Sequence, residues 1–121
     1  MSRWLVDGCN VVGARPDGWW RDRPGACQRL VDQLEVFARS SGARVTVVFD
    51  GLALPSGTWT SVEVVAAPSA DDRMVELAAL DPDPSSITAV TSDRQLAARL
   101  RAVGTEVAGA GSFRRRLDGD G

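Results

Sequence analysis

Val45-Thr46-Val47-Val48-Phe49-Asp50-Gly51 is an uncharged run of β-favouring residues closed by an acid and a glycine. A strand that is apolar on both of its alternating faces is covered on both sides, which is the condition of a strand inside a parallel sheet flanked by helices. Trp4-Leu5-Val6-Asp7-Gly8 repeats the pattern nearer the start of the chain. Val62 to Ala66 gives a third run that stops before Pro68, Ile87 to Thr91 gives a fourth that stops at Ser92-Asp93, and Glu106 to Ala108 gives a weak fifth.

Helical spacing fills the gaps between these runs. Leu30, Leu34, Phe37 and Ala38 recur on one face from about Pro24 until Ser40-Ser41-Gly42. Ser69 precedes Ala70-Asp71-Asp72 as a helix cap, with acids suited to a positive helix N-terminus, and Met74, Val75, Leu77 and Ala78 follow. Ser92 is expected to cap a further helix that buries Leu96, Ala97 and Leu100 and ends at Gly104, and a half-formed helix runs from Ser112 to Leu117. Gly13 to Pro24 reads as a long loop, and Asp118 to Gly121 as a frayed tail after a single domain of residues 1–117. Alternating strands and helices predict one α/β domain with a mostly parallel five-stranded sheet and helices on both faces.

Composition removes several kinds of chemistry. The 121 residues include 14 basic and 16 acidic side chains, every basic one being Arg, and there is no His, Lys or Tyr. That excludes Ser-His-Asp and Cys-His machinery, His-ligated zinc, a P-loop lysine and a Schiff base. A net charge of −2 excludes a bulk cationic field for nucleic acid, so any such contact must come from a local patch. Cys9 and Cys27 are far apart in sequence and read as reduced thiols. With no secretory leader and no run near the ~20 apolar residues that span a bilayer, a soluble cytoplasmic protein without a membrane partner is expected.

The acids that remain are arranged for one purpose. Ligands of an open parallel sheet collect outside the carboxyl ends of its strands. Asp7, Asp50 and Asp93 stand at those ends, while Asp71 and Asp72 open the helix after the third strand. Such a cluster repels itself unless a hard divalent cation, Mg²⁺ or Mn²⁺, lies within it, and the chemistry that follows is metal-assisted attack on a phosphodiester. Asp7, Asp50, Asp71 and Asp93 are therefore expected to converge on one or two cations. Each acid alone is also an ordinary turn former or helix cap. Asn10 stands ready to bond a metal-bound water or its own turn, and Ser92 a phosphate or the helix it caps.

Asp7-Gly8-Cys9-Asn10-Val11-Val12-Gly13, Val47-Val48-Phe49-Asp50-Gly51, Ser69-Ala70-Asp71-Asp72 and Val90-Thr91-Ser92-Asp93-Arg94 together resemble the four blocks of the NYN domain, in its YacP-like branch, within the PIN-like nuclease superfamily. Arg29-Leu30 and Ala110-Gly111-Ser112-Phe113 also resemble family positions, so the likeness runs through nearly the whole chain. It implies strand order 3-2-1-4-5 and a metal-dependent ribonuclease, an endonuclease on structured or ribosome-associated RNA, with Asp7, Asn10, Asp50, Asp71 and Asp93 at functional positions and Asp72 in support. The chain is shorter than many relatives, so the domain is expected to lack a C-terminal helix or to be completed by homodimerisation.

Two further readings stay open: an RNA-binding module of the same fold without turnover, and a haloacid-dehalogenase-type phosphatase. The phosphatase needs an acid two residues after its nucleophilic Asp, where this chain has Cys9, and it lacks the lysine. Substrate grip is expected from Arg15, Arg21 and Arg23, which share a loop with Trp19 and Trp20, and from Arg29, Arg73 and Arg94. Of the two adjacent tryptophans, one is expected in the core and one is free to stack on a base. Arg114-Arg115-Arg116 reads as a solvated face or a further RNA contact.

Overall fold

A computed structural model describes residues 2–15, 17–51, 55 and 57–119. Five strands form one sheet: β1 (Arg3–Asp7), β2 (Arg44–Asp50), β3 (Val62–Ala67), β4 (Ile87–Val90) and β5 (Glu106–Ala108). Their order is β3-β2-β1-β4-β5 and every pairing is parallel. The helices are α1 (Gly8–Gly13), α2 (Arg23–Ser41), α3 (Ala70–Leu80), α4 (Arg94–Ala102) and α5 (Ala110–Leu117).

Alternation along the central strands divides the core in two. Val6, Val47 and Val90 face a cluster with Val11, Leu30, Leu34 and Phe113, beneath α1, α2 and α5. Leu5, Val48 and Ala89 face the other way, against Met74, Ala78, Leu96 and Leu100 of α3 and α4. The register Val6↔Val47 and Val6↔Val90 keeps these positions level across the sheet, so one chain reversal of pleat serves both layers.

Four local features depart from the sequence reading. The stretch after Asp7 is a short helix rather than a turn, because Asp7 caps it, its Oδ1 accepting from the Asn10 N–H at 3.4 Å. Gly8 is required there: a Cβ would lie 2.4 Å from the Phe49 ring, which closes over the helix start. The expected long loop is shortened further by a 3₁₀ turn at Trp19–Arg21 and by Asp22, whose side chain caps α2 through the Gly25 N–H. Ser92 does not cap α4; Asp93 does, accepting from the Gln95 and Leu96 N–H groups at 2.9 and 3.1 Å. Asp118, expected at the start of a frayed tail, is anchored by Gln33 at 3.1 Å and by an ion pair with Arg15. Residues 120 and 121 of that tail lie outside the described residues.

Candidate active site

In a parallel sheet all carboxyl ends emerge on one edge, so β1, β2 and the turn after β4 bring Asp7, Asp50 and Asp93 to the same side of the molecule. Asp71, in the first turn of α3, joins them from above the β3 end. Asp7 is 5% exposed, and burial pushes its carboxyl up to about 6; bonds from Thr91 and the Asn10 N–H oppose the rise, while Asp71 and Asp50 add to it. Asp71 is raised as well, first by burial and then by the charges of Asp93 and Asp50. Asp71 thus feels each of the other three acids.

Every strand-end acid also holds backbone. Asp50 Oδ1 accepts from the Ala70 N–H at 2.8 Å and so ties the end of β2 to the start of α3, while Ser69 caps the same helix through Asp72 N–H at 3.2 Å. Asp7 and Asp93 cap α1 and α4 as described. Structural and chemical uses therefore coincide: capping leaves one oxygen of each carboxylate pinned and aims the group at the edge. Among the described residues, no three acids or thiols stand at the spacing of a closed metal cage. The expected convergence is thus one of shared edge and mutual repulsion, not of preformed coordination. An all-oxygen donor set, whose neighbouring Arg99 is already paired with Asp72, still fits a hard cation that keeps several of its waters and takes one or two carboxylates directly.

Asp72 points elsewhere. Its carboxylate pairs with Arg99 of α4 at 2.9 Å, fastening α3 to α4 rather than joining the other acids.

Thr91 is a functional residue that sequence reasoning missed. It is 2% exposed; its hydroxyl donates to Asp7 Oδ2 at 3.0 Å and accepts from the Asp93 N–H at 3.1 Å, so one side chain joins two of the acids. A threonine at the end of a β-branched run reads as strand, and only its place beside Asp93 could have marked it. Ser92 and Asn10 form a second link: Asn10 Oδ1 accepts from the Ser92 N–H at 2.8 Å, and Ser92 Oγ accepts from the Ala110 N–H at 2.9 Å. That chain of bonds holds α1, the β4 turn and the start of α5 together.

The arginines fall into two groups. Arg15 is committed to Asp118 and Arg73 to Glu76. Arg21 lies over the Trp20 ring at 6.0 Å and Arg23 over Trp19 at 5.8 Å. Trp19 is packed against the core while Trp20 is 56% exposed, as adjacent tryptophans must divide. Arg29, on α2, reaches back to Gly25. Arg94 and Arg101 line a cavity of about 460 Å³ with Thr91, Ser92 and Asp93. Arg101 was not singled out from sequence, although positions 94, 97 and 101 share a helix face. The Arg114–Arg116 run is not a simple solvated face: Arg114 is largely buried, and Arg116 lies 5.4 Å from the Trp4 ring.

Comparison with known proteins follows the same lines. The sequence profile of the YacP-like NYN domain matches residues 4–119. The crystal structure of Rae1 (YacP) from Bacillus subtilis is similar at 30% identity and TM-score 0.81, covering 98% of this chain and 75% of that one. Its W164L mutant is similar at 28% identity and TM-score 0.82, covering 98% and 76%. No sequence among the curated proteins matches.

Proposed function

The chain belongs to the family of YacP-like NYN domains, a nuclease-type fold, and from that premise we propose that it is a metal-dependent ribonuclease, cutting RNA internally. The observation that carries the proposal is the mutual repulsion of Asp7, Asp50, Asp71 and Asp93 on one sheet edge, which Arg99 of α4 offsets only in part at Asp71. Asp7, Asp71, Asp50 and Asp93 would hold Mg²⁺ or Mn²⁺, which supplies a water of lowered pKa and a counter-charge for the phosphate.

The residues of the chain do the rest. Thr91 holds Asp7 by its second oxygen and fixes the Asp93 backbone, so the two acids keep their separation while charge builds on the phosphate. Ser92 and Asn10 brace the turn that carries Asp93. Arg94 and Arg101, which line a cavity with Asp93, and Arg21 of the 3₁₀ turn offer guanidinium forks to phosphates, Arg23 stands beside Asp50, and exposed Trp20 offers a ring to an unpaired base.

Labelled single-stranded and hairpin RNAs, incubated with the protein in Mg²⁺, Mn²⁺ or EDTA and mapped at their ends, test the reading. Cleavage that EDTA stops and Asp71→Asn abolishes is expected. RNA that is bound yet uncut with either metal would instead favour an RNA-binding module, a use to which acids spent on helix caps are equally suited.

A further inference from the structure

A second cavity, of about 320 Å³, opens against the acid edge from the side of α1 and α2. Asp50 forms part of its wall, which makes it continuous with the candidate active site. Cys9, Cys27, Pro24, Pro55 and Phe49 also line it. Among the described residues, its charged lining groups are Asp50 and Arg23. Among the described residues the Arg23 guanidinium makes no hydrogen bond or ion pair; it rests on the Trp19 ring at 5.8 Å, and Trp19 is itself packed against the core. Exposed Arg23 thus keeps a planar fork of donors on the cavity wall that, among the described residues, no protein group occupies.

Size and lining restrict the occupant. The volume lies at the low end of small-molecule sites, which run about 300–1,000 Å³, room for one flat heterocycle and not for a stacked pair. Apolar, polarizable walls exclude a phosphate or sugar and suit the faces of an aromatic ring. An arginine has donors only, so the ring edge it meets must carry acceptors, and guanine O6 with N7 is the base edge that takes both prongs of the fork. We propose that this cavity is a guanine subsite that receives the base of a nucleotide next to the phosphate held at the acid edge. The proposal rests on the ribonuclease reading for its placement beside a scissile phosphate, but not for its ligand.

Two measurements separate these. In a Cys9→Ser chain Cys27 is the single thiol, and its alkylation by N-ethylmaleimide is followed with millimolar 5′-GMP, AMP, CMP or UMP. GMP is expected to slow the reaction several-fold more than the other three, and Arg23→Ala is expected to erase the difference. Alkylation that is unaffected by GMP, or slowed equally by all four nucleotides, overturns the subsite. In the second measurement, 7-deazaguanosine, which lacks the N7 acceptor, replaces guanosine at each position of a cleaved RNA in turn. One position flanking the cut should lose about tenfold in kcat/KM with the parent chain and nothing with Arg23→Ala. Cleavage indifferent to every replacement overturns the guanine assignment while the nuclease reading stands. Protection of Cys27 by GMP in a chain that cuts no RNA keeps the subsite and overturns the nuclease.

Discussion

Burial that lifts the Asp7 carboxyl from its ordinary 3.8 to about 6 makes its ionised form a cost to folding. The native state binds this proton more tightly than the unfolded chain does, so stability falls as pH rises from about 4 to about 6 and stays reduced above it. The gap corresponds to about 2–3 kcal/mol at neutral pH. Asp7→Asn removes the charge, keeps one oxygen to accept from the Asn10 N–H and turns the Thr91 bond round so that Nδ2 donates to the hydroxyl, and it should raise Tm at pH 7–8, the advantage shrinking to nothing as pH falls toward 4. Millimolar Mn²⁺ should raise the parent's Tm and leave that of Asp7→Asn unchanged. A variant less stable than the parent at pH 8, or shifted equally by Mn²⁺, would show that Asp7 is not the uncompensated charge it is taken for. Asp7, Asp50 and Asp93 were legible in the sequence because each follows an apolar run, and Asp71 because it opens a helix behind a serine cap. Thr91 was not, because a buried hydroxyl that bridges two acids is spelled the same way as one more β-branched strand residue.

Elements show a similar division. Apolar spacing places the strands and the long helices, since core-facing periodicity is what folds them. The short α1 escaped, having no apolar period long enough to register and depending on the Asp7 cap and the bare Gly8. The anchor of the β2–β3 connection escaped too. Glu35 lies on the buried side of α2, 8% exposed, where Leu30, Leu34 and Ala38 mark the core, and nothing in the sequence announces that the chain returns to it. There its carboxylate accepts from the Thr60 and Ser61 N–H groups, each at 2.9 Å, and from Arg39 Nε at 2.9 Å. The Ser61 N–H foremost, with Thr60 and Arg39, holds its carboxyl down at about 2 despite burial. A lowered carboxyl adds stability that is complete above its ordinary 4.5 and lost as pH falls through about 2. Glu35→Gln should therefore lower stability by about 2 kcal/mol at pH 7, and the difference from the parent should close progressively between pH 4.5 and 2. Urea unfolding at several pH values measures it. A pH-independent difference would assign the loss to packing instead of charge.

Across the whole molecule, a net charge of −2 and an acidic edge oppose the approach of any polyanion, so grip must be local. The fold sorts the arginines by what they already hold. Arg15, Arg39, Arg73 and Arg99 are spent on Asp118, Glu35, Glu76 and Asp72, and Arg3 on Asp81 at the opposite sheet edge. Arg23 lines a cavity with Asp50, and Arg94 and Arg101 line one with Asp93; these three and Arg21, among the described residues, form no ion pair. A strand of RNA crossing the edge from Arg21 and Arg23 to Arg94 and Arg101 would pass its backbone over Asp7 and Asp71 on the way. Counterion release then gives a quantitative expectation: each phosphate contact on a single strand contributes about 0.7 to the slope of log K against log salt. Changing Arg94 and Arg101 together to Ala should weaken RNA binding and flatten that slope by about 1.4, while the same change at Arg21 and Arg23 should flatten it by about 0.7, Arg23 being assigned to a base. Arg15→Ala should leave the slope alone and instead lower Tm, because its loss strips Asp118 of its closer ion pair and leaves Gln33 and Arg114, the latter at 3.9 Å, to hold the end of α5. Anisotropy titrations at several salt concentrations, in EDTA so that nothing is cut, separate the two behaviours. A slope that answers to Arg15 and not to the flanking pairs would move the RNA path off the acid edge and onto the α2–α5 face, away from the carboxylates that are proposed to cut it.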